Sequence, residues 1–275
     1  MAAERGGSPT LNDAYAVDFA RALDGWGEAT AYPATARAMP GVPLLAILVP
    51  PGRAPRARVL TEVSGLALPG VLMPLAHGPL GLPDGRAAWA VVTDAPPGPS
   101  LAAAPRAWTE ADLLRHVVIP VGATLARLHA GGVHHRGIRP DNLFAAPGQP
   151  CVLGPAWTEP PASRQPAVCE PPYSAMCLPC GRGEGTPGDD VYALGVTLIA
   201  LVAGRLPLDG LDDAAVIRRK LDLGSFAALT GDVRLSPPIA DLLRGMLADD
   251  PDHRPAAALL ADPAALRARR AYVRP

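Results

Sequence analysis

The sequence predicts an α+β chain in two parts, a small β-rich N-terminal region and a larger helical C-terminal region. Three observations predict it. From Trp26 to Thr93, short apolar runs ("PLLAILV", "GVLMPLA", "AAWAVVT") are broken by Pro and Gly, the texture of strands and turns. After "APPGPS" the apolar residues recur at helical spacing. From Asp189 onward helical patterns dominate. The parts are expected over 11–97 and 98–270, between tails at 1–10 and 271–275.

Leu11 to Leu23 has an apolar spacing that fits a helix or an alternating strand. "ARVLTEVSGLA", from Ala57 to Ala67, is the one helical candidate among the strands. Thr109 and Asp112 are spaced as a capping box. They open a helix whose stripe is Leu113, Leu114, Val117, Val118, Leu125 and Leu128. Pro120 should kink it, at about 3 kcal/mol unless the geometry adapts. Gly131 and Gly132 should end it. Further helices are expected over 190–204, 212–222, 237–249 and 255–270, with no internal repeat.

Hydrophobic residues make up 49% of the 275, which excludes a disordered chain and suffices for a core. A formal net charge of -1 argues against a nucleic-acid partner. "MAAERGGSPT" lacks the basic start and apolar run of a signal peptide. The longest apolar stretch, Val191 to Gly204, falls short of the roughly 20 residues of a membrane span. A soluble, cytoplasmic chain with no membrane contact from this segment is expected. Of the 25 Lys and Arg residues only Lys220 is a lysine.

The chemistry centres on "HHRGIRPDNLF", His134 to Phe144. With the preceding "LARLHAGGV", with "GTPGDDVYALGVTLIALVAGRLPLDG" and with "LLRGMLADDPDHRP", it resembles a protein kinase over most of its length. More narrowly, it is similar to bacterial serine/threonine-kinase-like proteins. The resemblance implies a two-lobed kinase-like fold. It implies that His135 packs in the core spine and that Asp190 accepts hydrogen bonds from the catalytic-loop backbone. Arg254 would tie the activation segment to the lower lobe, with Glu170 or Glu184 as partner. Arg136, Asn142 and the helix glutamate, Glu62, are retained with them.

The same resemblance marks what is missing. Gly137 stands where the family has its catalytic base, and general bases typically contribute about 10²–10⁴-fold. Pro155 stands at the metal-binding Asp. The phosphate-holding strand lysine should lie at about Leu48, and no lysine lies in that half of the chain. "GWGEATAY" lays Gly25, Gly27 and Thr30 over the glycine-rich loop, a weak match. Thr93 falls at the gatekeeper, with Asp94 after it, and Pro96 at a hinge position that lacks an N–H. Ala175, Met176 and Cys177 replace the A-P-E motif. These losses lead to the expectation of a non-enzyme, a pseudokinase that takes no cofactor. It would act as a scaffold for a protein partner or an adjacent domain of a longer parent chain. Two alternatives are a metal-independent ATP switch using Arg53, Arg56 or Arg58, and a transferase with displaced carboxylates among Asp141, Glu159 and Asp94.

The four cysteines lie between Cys151 and Cys180. "CLPC" pairs Cys177 with Cys180 and has Cys169 nearby, a pattern that also occurs in Zn²⁺ and redox sites. No second C-x-x-C follows, so free thiols are expected. His134 and His135 are neighbours that point apart, one exposed and one in the core. The pairs Asp189–Asp190, Asp212–Asp213 and Asp249–Asp250 read as helix starts and turns. Met176, Leu178 and Pro179 read as a docking segment.

Overall fold

A computed structural model describes residues 10–266, apart from 24, 25, 27, 28, 65, 67 and 104–106. The chain divides into two compact units. The smaller contains the described residues of Met1–Ala67 with Leu72–Ala95 and Trp157–Pro160; the larger contains the remainder. The change at Ala95 to Pro96 falls two residues before the expected boundary.

In the smaller unit, β1 (Thr10–Leu11), β2 (Tyr15–Val17), β3 (Thr30–Ala36), β4 (Met39–Leu48), β5 (Pro74–Gly81) and β6 (Ala87–Asp94) form one antiparallel sheet. Its order is β1-β2-β3-β4-β6-β5. The segment after Leu11 is thus strand rather than helix. Its alternating face puts Leu11 and Val17 into a cluster with Leu44, Ala46, Leu80, Ala90 and Val92. The opposite face gathers Ala31, Leu45 and Ile47. Because side chains alternate along a strand, register decides which residues share a face. Leu45 pairs with Thr93 and Ile47 with Val91, so Thr93 shares the face of Ile47. Leu48 pairs with Ala90 and packs on the other. Helix α1 (Ala57–Val63) buries Val59, Leu60 and Val63, and it stops four residues short of the expected end.

In the larger unit the Thr109 hydroxyl accepts from the Asp112 N–H (3.2 Å) and donates to its carboxylate (2.8 Å), the expected N-terminal cap. Helix α2 (Glu110–Leu113) passes through a π-helical turn, Leu114–Val118, into α3 (Ile119–Ala130). The wider turn accommodates Pro120, whose ring and missing N–H conflict with regular α-helical bonding. A hairpin of β7 (Leu143–Phe144) and β8 (Val152–Leu153) follows, then α4 (Pro172–Ala175). Helix α5 (Pro187–Ala203) is buried along nearly its whole length, begins at a Thr186–Asp189 capping box and ends at left-handed Gly204. Of the later helices, α7 (Ser225–Thr230) and α8 (Pro237–Met246) pack on it, α6 (Asp213–Leu223) packs on α7, and α9 (Ala257–Ala261) packs on α3. Helix α7 has no counterpart in the sequence pattern. The expected 255–270 helix breaks at Asp262, whose ψ of 108 is extended, because Pro263 disfavours helical backbone in the residue before it. Gly122 packs so closely on α9 that an added Cβ would lie 2.9 Å from Leu260 Cβ.

Replacing Thr109 with Ala removes the cap of the α2–α3 helix. The expected loss is about 1 kcal/mol, read as a lower urea midpoint at unchanged slope.

Candidate active site in the larger unit

Asp190 lies in the first turns of α5 and is 1% exposed. Its carboxylate accepts the backbone N–H of His135 at 2.8 Å and of Arg136 at 2.7 Å. His129 Nε2 of α3 lies 2.9 Å from the same group. Burial alone would raise the Asp190 pKa, but His129 and the backbone donor outweigh it and hold the acid at about 2. This is the loop-holding role expected of Asp190. His129 was not foreseen; an isolated His before two glycines carries no pattern of its own.

The loop that Asp190 holds is closed from the other side by the β7–β8 hairpin. His135 Nε2 lies 2.9 Å from the Gly154 carbonyl. Asn142 Nδ2 donates to the Gly137 carbonyl at 2.8 Å, and the Asn142 carbonyl accepts from the Gly154 N–H at 2.8 Å. A Cβ at residue 154 would sit 2.1 Å from Asn142 Oδ1, so only glycine permits this approach. Gly137, Asn142 and Pro155 are therefore brought together, as the motif spacing implies. Arg136 adopts φ 60, a left-handed backbone rare outside glycine and strained for a long side chain. Arg139 ion-pairs with Asp141 at 2.9 Å and reaches Gln165. The Asp141 side chain is 47% exposed.

A second layer of buried cations anchors the segment after the hairpin. Arg136 donates to Glu170 at 3.0 Å, with both side chains 1% exposed. Burial raises the Glu170 pKa, and Arg136 only partly offsets that. Arg254 does not meet Glu170 or Glu184. It pairs with Asp189 at 3.3 Å and donates to the Ala248 and Asp249 carbonyls. Glu170 is already taken by Arg136, and Asp189, at the start of α5, is the carboxylate that Arg254 reaches. Lys220 donates to the carbonyls of Ala167 (2.9 Å), Val168 (2.8 Å) and Glu170 (2.7 Å). Burial pushes its pKa down to about 7. Arg182 donates to the Gln165 and Cys177 carbonyls. Past these anchors Tyr173, Met176 and Leu178 are exposed.

In the smaller unit Glu62 pairs with Arg58 at 2.7 Å on the exposed side of α1. Arg56 is buried and lies over the Trp157 ring at 5.6 Å. Glu159 is buried, Asp94 is exposed, and the Thr93 hydroxyl donates to the Asp94 carbonyl. Gly25 and Gly27 lie outside the described residues. Cys177 and Cys180 are exposed free thiols; Cys151 and Cys169 are buried, and burial pushes both up to about 12. Among the described residues no cluster of His, Cys, Asp or Glu is arranged to hold a metal ion. Among them, too, no helix is long and apolar enough to cross a membrane.

The protein kinase domain model matches residues 90–263, and the chain belongs to that family. The human serine/threonine-protein kinase STK11 is 31% identical over 141 residues, which cover 47% of this chain and 31% of that protein. The putative CBL-interacting protein kinase 13 of Oryza sativa subsp. japonica is 32% identical over 152 residues, covering 53% of this chain and 29% of that protein. The chain thus spans less than a third of these relatives' length. In fold it is similar to Rad53 1-466, solved in complex with AMP-PNP. The TM-score is 0.70 at 18% identity, over 92% of this chain and 65% of that one.

These findings overturn the expectation of a non-enzyme and with it the pseudokinase label. The family is one of phosphoryl-transferring enzymes, and both relatives are named as protein kinases, the human one as a serine/threonine-protein kinase. Residue identities at three positions, Gly137, Pro155 and Leu48, do not fix a rate. A base supplies about 10²–10⁴-fold of accelerations that exceed about 10⁶-fold, so its absence from one position does not establish inactivity.

Three outcomes follow from this geometry. Asp190 has a folded pKa below its ordinary value, so its contribution is present above about pH 4 and lost as pH falls toward 2. Acid unfolding followed by circular dichroism should show roughly 2 kcal/mol of that loss across the window. Lys220→Met orphans three buried carbonyls and should cost about 2–4 kcal/mol in chemical denaturation. Gly137→Asp places a Cβ 3.0 Å from Ala156 Cβ and should cost about 1 kcal/mol; adding Ala156→Gly should recover most of it.

Proposed function

We propose that the chain is a signalling domain of the serine/threonine protein kinase type that recognises a protein through Tyr173–Cys180. The partner is a separate protein or an adjoining domain of a longer parent chain, met in the cytoplasm. One observation carries the reading. Tyr173, Met176 and Leu178 are 74%, 55% and 75% exposed within six residues, while the backbone leading in and out is fixed by Lys220, Arg136 and Arg182. Clustered exposed apolar side chains on a rigid base favour a protein contact, because their burial is favourable and little ordering entropy remains to be lost. The kinase relatives support a protein as the recognised molecule.

A second reading concerns the reaction itself. Asp141 is a partly exposed carboxylate held by Arg139 four residues past Gly137, and it is the displaced group best placed to accept a proton from a substrate hydroxyl.

Peptides selected from a random display library against the folded chain should lose about tenfold or more in affinity on Leu178→Asp, with the melting temperature unchanged. Binders indifferent to Leu178→Asp and to Tyr173→Ala would sink the recognition reading. For the second reading, phosphate transfer from MgATP to casein should fall about 10²-fold in Asp141→Asn. Transfer that is undiminished in that variant removes Asp141 from the mechanism.

A further inference from the structure

A cavity of about 610 Å³ opens in the larger unit where the end of α5, the turn after it, α6 and the turn after α7 meet. None of the catalytic-loop residues lines it. Val202, Ala203 and Leu206 contribute its apolar surface. Arg205, Arg219 and Arg234 also line it, and among the described residues none of the three side chains forms an ion pair or hydrogen bond. Asp209 and Asp232 line it too, equally unpaired. Cations and carboxylates thus border one cavity without satisfying one another. Leu208, in the same lining, is held at φ 58, a strained backbone for a bulky residue and one that tends to occur at ligand sites.

We propose that this cavity binds a zwitterionic ligand of short-peptide type, with a carboxylate, an ammonium and apolar side chains. The carboxylate meets the arginines, whose planar forks suit bidentate pairing. The ammonium meets Asp209 or Asp232. The apolar side chains cover Val202, Ala203 and Leu206. Size agrees: ligand pockets run from about 300 to 1,000 Å³, and a free amino acid would leave much of this one empty. Two carboxylates in the lining disfavour a polyanion, and three arginines disfavour a simple amine. The surplus of one positive charge leaves the carboxylate as the dominant anchor. This proposal is independent of the Tyr173–Cys180 reading.

The test is calorimetric titration of the whole chain with leucylphenylalanine, its N-acetyl form and its C-terminal amide. The zwitterion should bind saturably. Blocking the carboxylate should weaken binding about tenfold or more, and blocking the ammonium should weaken it by less. Arg219→Ala should reproduce the first loss and Asp232→Asn the second, both at exposed positions and with the melting temperature unchanged. No binding of the dipeptide at about 10 mM overturns the proposal. So does binding of all three compounds within about twofold, which would show an apolar surface without charge recognition.

Discussion

The Asp190 carboxylate has two backbone N–H groups and one imidazole to satisfy, and it does so from the first turns of a helix that is buried almost throughout. Helix N-termini favour negative charge, and the N–H donors replace the water lost on burial. The constraint runs outward from there. Because His135 and Arg136 present their N–H groups to one carboxylate, the loop turns sharply, and Arg136 takes a left-handed backbone to make the turn. That conformation sends its guanidinium to Glu170 and so ties the loop to the following segment. The strain at Arg136 is thus offset by a buried, hydrogen-bonded ion pair.

The larger unit solves a recurrent difficulty in the same way at several points. Segments without regular structure leave backbone carbonyls that must be satisfied when buried. Here the donors are long cationic side chains: Lys220, from α6, for three carbonyls, and Arg182 and Arg254, from loop positions, for two each. Tyr192 of α5 lies within 5.2 Å of both Lys220 and Arg254, and its ring face adds a further attraction for each. Breaking one partner of such an arrangement costs more than the arrangement is worth, since the remaining polar atoms stay buried.

The strand-rich and helical parts were legible because Pro and Gly punctuate the first and helical spacing marks the second. The loop was legible because its residues are close in sequence: His135, Gly137 and Asn142 meet within eight positions. Pro155 joins them through a short hairpin. What could not be read joins residues far apart. Lys220 meets Val168 across 52 positions and Arg254 meets Asp189 across 65, and nothing in the sequence beside either cation names so distant a partner. Register was equally hidden. Leu48 and Ile47 are neighbours in an unbroken apolar run, and only the pairing of Leu45 with Thr93 tells which face each occupies. The exclusion of enzymatic activity failed for a different reason, because residue identities at single positions do not measure a rate.

The burial of Lys220 has a chemical consequence. It is the one side-chain amine in the sequence, it is 1% exposed, and three backbone carbonyls take its three N–H groups. An acylating reagent meets no side-chain amine until α6 parts from the Ala167–Glu170 backbone. Acylation at that position therefore counts openings of this junction and reads its local stability directly, separately from the global unfolding of the chain.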